Sequence, residues 1–183
     1  VASFIKGYLK NDNCQIFAEW VFMPALRLLV FKQYKYRFYM EHIFELDNIL
    51  SKYRGEFDNY WYDYLILDAI DILNKFNDAE WKYLFDILQS QKNELWYLAL
   101  ISILSDTKNF SNALELCISI FRGNSYAVQI ATIDTINAII SGKDISIRII
   151  NEIKCMVVNF TPKSTIDDIV YNALLSNLAS RLG

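Results

Sequence analysis

Apolar and polar positions alternate with a helical period along most of this chain. Over residues 60–76, at 100° per residue, Trp61, Leu65, Ala69, Ile72 and Phe76 fall on one side, with Ile66 and Leu73 beside them. Tyr60, Asp63, Leu67, Asp71 and Asn74 fall on the other side, flanked by Tyr64. Looser versions of this run recur over 94–104 and 125–136, each with an alanine near its middle. These alanines, Ala69, Ala99 and Ala131, are thirty and thirty-two residues apart. A small residue recurring mid-helix at a nearly constant period lets neighbouring helices pack closely, as in a stack of helical repeats.

Capping residues and breakers divide the chain into helices. A short helix is expected over 2–10, ended by Asn11-Asp12-Asn13, and Asn13 then caps a second. Pro24 starts or kinks a third. Residues 26–53 read as helical with a break near Tyr39-Met40, and Gly55 is the stop. Residues 57–76 form one helix, and Asp78 caps the next, over 79–89. A helix over 94–104 follows. Asn109 or Ser111 opens a helix to Phe121, closed by Gly123, and another runs over 125–140, closed by Gly142. Asp144 or Ser146 opens a helix to Phe160, which Thr161-Pro162 breaks. Ser164 or Thr165 caps the last, over 166–182. The helices pair into hairpins over 79–104, 110–140 and 145–182, with Ala173 standing for Ala131 in the last and an insertion near Pro162. The expectation is one all-α domain over 1–183, with N-terminal helices over 1–54 and stacked antiparallel hairpins over 56–183.

Composition sharpens this picture. Five glycines and two prolines supply few of the turns an all-β fold needs, and 54% hydrophobic against 21% charged residues excludes disorder. The longest apolar run, 20–31, contains Pro24 and Arg27 and falls short of the roughly 18 uncharged residues of a membrane span. No secretory signal pattern is visible, so a cytoplasmic protein with no membrane partner is expected. The chain starts with Val1 rather than Met, which leaves its native start open.

The net charge of −3 is unevenly spread. Residues 1–54 hold eight Lys/Arg against five acids, 55–100 hold nine acids against three lysines, and 101–183 hold seven of each. The acidity is therefore concentrated in the segment that carries the tyrosine-rich run.

Catalytic chemistry finds no foothold. Cys14, Cys117 and Cys155 are odd in number and far apart, with neither metal nor disulfide spacing, and read as small buried hydrophobes in a reducing compartment. His42 has no second histidine to make a metal pair. Five scattered glycines build no phosphate loop. Asp68 with Asp71, and Asp167 with Asp168, read as solvated acids or N-terminal dipole partners. No catalytic residue, metal or cofactor is expected.

The amphipathic pairs and central alanines over 57–182 resemble the HEAT-like or armadillo-like family of helical repeats. The resemblance implies binding rather than catalysis, through the face lined by the second helix of each pair. On that face the stripe opposite the core places Tyr60, Asp63, Tyr64 and Asp71, then Glu94, Tyr97 and Ile101, then Tyr126, Gln129 and Ile133. Tyrosines amid acids with few lysines are interface composition, aromatic anchors with directional charge. The alternative is that the N-terminal helices or the next unit cover this face and make it core.

Three functions follow. The first is a bacterial immunity or inhibitor protein that neutralises a basic partner, such as a toxin nuclease, through this acidic face. Small acidic helical proteins of this type resemble bacterial toxin-immunity proteins. The second is a general helical scaffold or adaptor. The third is nucleic-acid binding through 31–44, where Lys32, Lys35 and Arg37 interleave with aromatics.

Overall fold

The computed structural model describes residues 41–55, 60–88 and 92–181. Within them 76% are helical and none is in a strand. Eight α-helices are present among these residues: α1 (Glu41–Leu50), α2 (Ile66–Leu73), α3 (Asp78–Leu88), α4 (Glu94–Leu104), α5 (Phe110–Phe121), α6 (Tyr126–Gly142), α7 (Ile147–Val157) and α8 (Thr165–Ser180). A π-turn, Trp61–Leu65, runs directly into α2. The helices expected before residue 41, the basic residues Lys32, Lys35 and Arg37, and Cys14 lie outside the described residues.

Local chemistry sets the helix ends. Asn77, not Asp78, caps α3: its side-chain oxygen accepts from the N–H groups of Ala79 and Glu80. Glu80 reaches back to accept from the N–H of Asn77, so the two side chains satisfy exposed helix-start donors reciprocally. An asparagine one residue earlier can use both its own oxygen and the following glutamate, which Asp78 cannot. Asn93, Asn109, Ser125 and Ser164 cap α4, α5, α6 and α8 in the same manner, each accepting from the third residue on. Helix α1 ends at Leu50, where Lys52 and Tyr53 tighten onto Ile49 and Leu50, five residues before Gly55. Gly55 and Gly123 both take positive φ, 78° and 80°. A side chain at Gly55 would also meet Leu95 at 2.7 Å.

The helices touch their second neighbours along the chain. α1, α3, α5 and α7 pack in succession as one row, and α2, α4, α6 and α8 as a second. Contacts of α1 with α2 and α4, of α4 with α5, of α5 with α6 and of α7 with α8 join the rows. The core lies between them. Leu50, Leu73, Leu84, Leu100, Leu104, Leu114 and Ile120 are essentially inaccessible. Ala69 and Ala99 are fully buried, so two of the three recurring alanines stand where helices meet. Ala131 and Ala173 are only half-buried, because each faces partly outward from its row.

Polar ties join α1 to α3 and to the start of α4. Asp47 on α1 accepts from the indole N–H of Trp96 (2.8 Å) and from Lys92 (2.7 Å), fixing the start of α4. His42, the single histidine, donates from Nδ1 to Glu80 Oε1 at 3.0 Å. Glu80 is 1% exposed, so a buried carboxylate links α1 to α3.

Candidate interaction surface

The π-turn and α2 expose an unbroken stripe of tyrosine, leucine and aspartate. Tyr60, Tyr64 and Leu67 are 59%, 63% and 59% exposed, and Asp63, Asp68 and Asp71 are exposed beside them. Opposite them, Trp61, Leu65, Ala69, Ile72 and Leu73 are buried, and Ile66 and Phe76 half-buried. The rings of Tyr60 and Tyr64 lie 5.8 Å apart, one turn from each other on the same side. No Lys or Arg occurs from Tyr60 to Asn74.

Tyr62 joins the exposed set, which a uniform 100° register does not anticipate. The π-turn supplies the reason: the N–H of Ile66 bonds back to the carbonyl of Trp61, five residues away, so this turn is wider than an α-turn and rotates its side chains.

The stripe does not carry across α4 and α6 as the sequence implied. Glu94 is exposed, but Tyr97 is only 6% exposed, its ring edge-on to Trp96 at 5.6 Å. Ile101 and Ile133 are buried as well. The cause is position in the row. Helix α4 is flanked by α2 and α6 and backed by α1 and α5, so beyond its exposed first residue Glu94 only the narrow strip Leu95, Leu98 and Ser102 reaches water, rotated away from Tyr97.

Tyr126 and Gln129 are half-buried, and their polar atoms serve the fold. The Tyr126 hydroxyl donates to Asp167 (2.6 Å) and accepts from the Lys163 N–H (2.7 Å). Its ring stacks on Phe160 at 5.5 Å, and the Lys163 ammonium stands 4.1 Å from the ring centre. Gln129 donates to the carbonyl of Phe121. Partial burial and the bond to Asp167 raise the Tyr126 pKa, and the hydrogen bonds from Tyr126 and Ser164 hold the Asp167 carboxyl below its usual range. This cluster anchors the α7–α8 connection onto the start of α6.

Other chemistry-bearing groups are dispersed. Cys117 is buried, its thiol pushed up to about 12 by that burial, and Cys155 is exposed on α7. Among the described residues no group of three or more His, Cys, Asp and Glu side chains could hold a metal ion. A shallow depression of 410 Å³ lies among Phe121, Arg122, Gln129, Glu152, Cys155 and Met156. Its charged members face each other, Arg122 standing 3.7 Å from Glu152. No described helix is long and apolar enough to cross a membrane. No protein-family model matches the chain, and no curated protein or solved structure shows significant similarity to it.

Proposed function

We propose that this chain is a non-enzymatic protein-binding module that takes a basic partner on the exposed face of α2. The observation that carries the reading is the stripe of Tyr60, Asp63, Tyr64, Leu67 and Asp71, with aromatic rings in water, three exposed aspartates nearby and no cation in the helix. Exposed aromatic anchors supply contact area at low conformational cost, while carboxylates steer a positive surface and exclude a negative one. The second-neighbour packing supports reading the fold as stacked hairpins of the HEAT-like type, in which the second helix of each pair lines the binding face.

The partner class this surface suits best is a nucleic-acid-cleaving toxin, whose cleft must be basic to hold its substrate. An acidic protein filling that cleft acts as an immunity protein. The decisive experiment expresses the product of the adjacent open reading frame with and without this chain. Protection of growth, together with a stable complex of the two proteins, is the expected outcome. Within that complex, Asp63→Lys with Asp71→Lys slows association and flattens its salt dependence, with folding intact because both side chains are solvent-facing. Tyr60→Ala speeds dissociation at a cost of about 2 kcal/mol if the ring is a central anchor. Undiminished binding by the charge-reversed chain, with loss on substituting Lys32, Lys35 and Arg37, assigns the contact to the basic segment 31–44 instead.

A further inference from the structure

Beyond α2, the second row presents a further surface. Three sides of α6 are occupied. Gln129 reaches Phe121 of α5, Thr135 reaches the carbonyl of Ile101 on α4, and Asn137 meets Asn177 of α8. The fourth side carries Ala127, Ala131, Asp134 and Ala138. On one flank, α4 offers Leu95 and Leu98. On the other, α8 turns Asp167 and Asn177 toward α6 and Tyr171 toward α7, leaving Ile166 and Ile169 73% and 64% exposed. Large aliphatics therefore flank a floor of alanines.

We propose that this trough over α6 seats an amphipathic helix of a partner protein, apolar on its inner face and lined with Lys or Arg along its edges. The proposal rests on the protein-binding reading above but not on the α2 stripe.

Three observations select that occupant. Neighbouring packed helices stand about 8–10 Å apart, so α4 and α8 flank a space of about one helix diameter, and alanines beneath it allow close approach. The described residues contain no strand, so an extended segment laid here would find no sheet edge for its backbone groups, whereas a helix satisfies its own. The helices around the trough are acidic. The row-two helices, with the π-turn, carry seven carboxylates (Asp63, Asp68, Asp71, Glu94, Asp134, Asp167 and Asp168) and no Lys or Arg, and the cations nearest α6 stand at its ends, Lys163 over the Tyr126 ring and Arg181 on the Ile140 carbonyl, leaving Asp134 the charge at its middle. A helix with basic edges complements this face, and an acidic one is repelled.

The test uses the full chain and three labelled peptides of roughly 18 residues, long enough to lie along α6. One is an amphipathic Leu/Ala/Lys helix, the second its scrambled isomer of identical composition, and the third a Leu/Ala/Glu helix of the same pattern. Fluorescence anisotropy is expected to show the first binding at least about tenfold more tightly than the other two. Asp134→Lys with Ile169→Lys should weaken it by about tenfold or more, and Ile169→Gln alone should weaken it measurably, with unchanged circular dichroism in both. Asp63→Lys with Asp71→Lys should shift it by no more than about twofold. Equal binding of the scrambled peptide, no binding of the amphipathic one, or indifference to the α6 and α8 substitutions overturns the proposal. Loss on the α2 substitutions alone overturns it too, while leaving the α2 reading standing.

Discussion

Individual side chains decide more in this fold than their surface counterparts would. Glu80 is a buried carboxylate with two jobs, accepting from the Asn77 N–H at the start of α3 and from His42 on α1. His42→Ala leaves one of its oxygens buried without that donor, and the expected loss is about 1–3 kcal/mol in urea unfolding. Glu80→Ala, which removes the cap as well, should cost at least as much. Equal stability of both variants and wild type would show that the α1–α3 link contributes nothing.

Asp167 makes a pH-dependent contribution. Its folded pKa is depressed, first by the Tyr126 hydroxyl, so the stability it adds is present above the ordinary carboxylate value of 3.8 and is lost as pH falls through the depressed value. Tyr126→Phe removes that donor. The gap in urea midpoint between wild type and Tyr126→Phe should therefore be widest near neutrality and narrow toward pH 3. Tyr126 has the opposite sense: its raised pKa adds stability that is present below 10.0 and disappears as pH rises through the folded value.

At the scale of elements, the recurring alanines sort by where their helices sit. Ala69 and Ala99 are fully buried, so Ala69→Leu or Ala99→Leu must push packed neighbours apart, at about 1–3 kcal/mol each. Ala131 lies partly on the outward side of α6, so Ala131→Leu should lower the melting temperature less than either. Thermal scans of the three variants separate these cases, and a larger effect at Ala131 would mean that α6 is rotated from the orientation described. The α1–α2 connection has its own constraint. Gly55→Ala meets both a positive φ and the Leu95 side chain, with an expected cost of about 1–2 kcal/mol. Gly123, with no atom in the way of an added methyl, should show the backbone part alone.

At the scale of the whole molecule, α6 is held among the described helices by α4, α5 and α8. Val128, Thr132, Ile133, Ile136 and Ile140 are all fully buried along it. Opening α6 exposes more buried apolar surface than opening α2, so its mid-helix amides should exchange more slowly than those of α2, close to the global unfolding limit. The π-turn and α2, with one exposed flank, should exchange faster. Hydrogen-exchange mass spectrometry checks the order, and faster exchange in α6 than in α2 would contradict this packing. Within the helices themselves Lys and Arg occur only in the first row, while Lys163 and Arg181 stand at the two ends of α6.

Much of this was legible in the chain itself. The 3.6-residue period, the Asn and Ser caps and the break at Pro162 placed six helices over 78–180 with their ends within about three residues, because these signals act within a turn or two of their own position. The tyrosine–aspartate stripe on α2 was legible for the same reason: one helix's two faces follow from its own pattern. Tyr97, Ile101 and Ile133 were not, since a helix enclosed on several sides buries residues that an amphipathic pattern alone would place outside. The exposure of Tyr62 depended on a π-turn whose hydrogen bond no local motif announces. The linkage of His42 to Glu80 and of Tyr126 to Asp167 joins residues 38 and 41 positions apart. Local period and capping are properties of neighbouring residues; which sides of α4 and α6 meet water, and which polar groups pair at a distance, depend on how the helices are rotated against each other, and only the tertiary packing decides that.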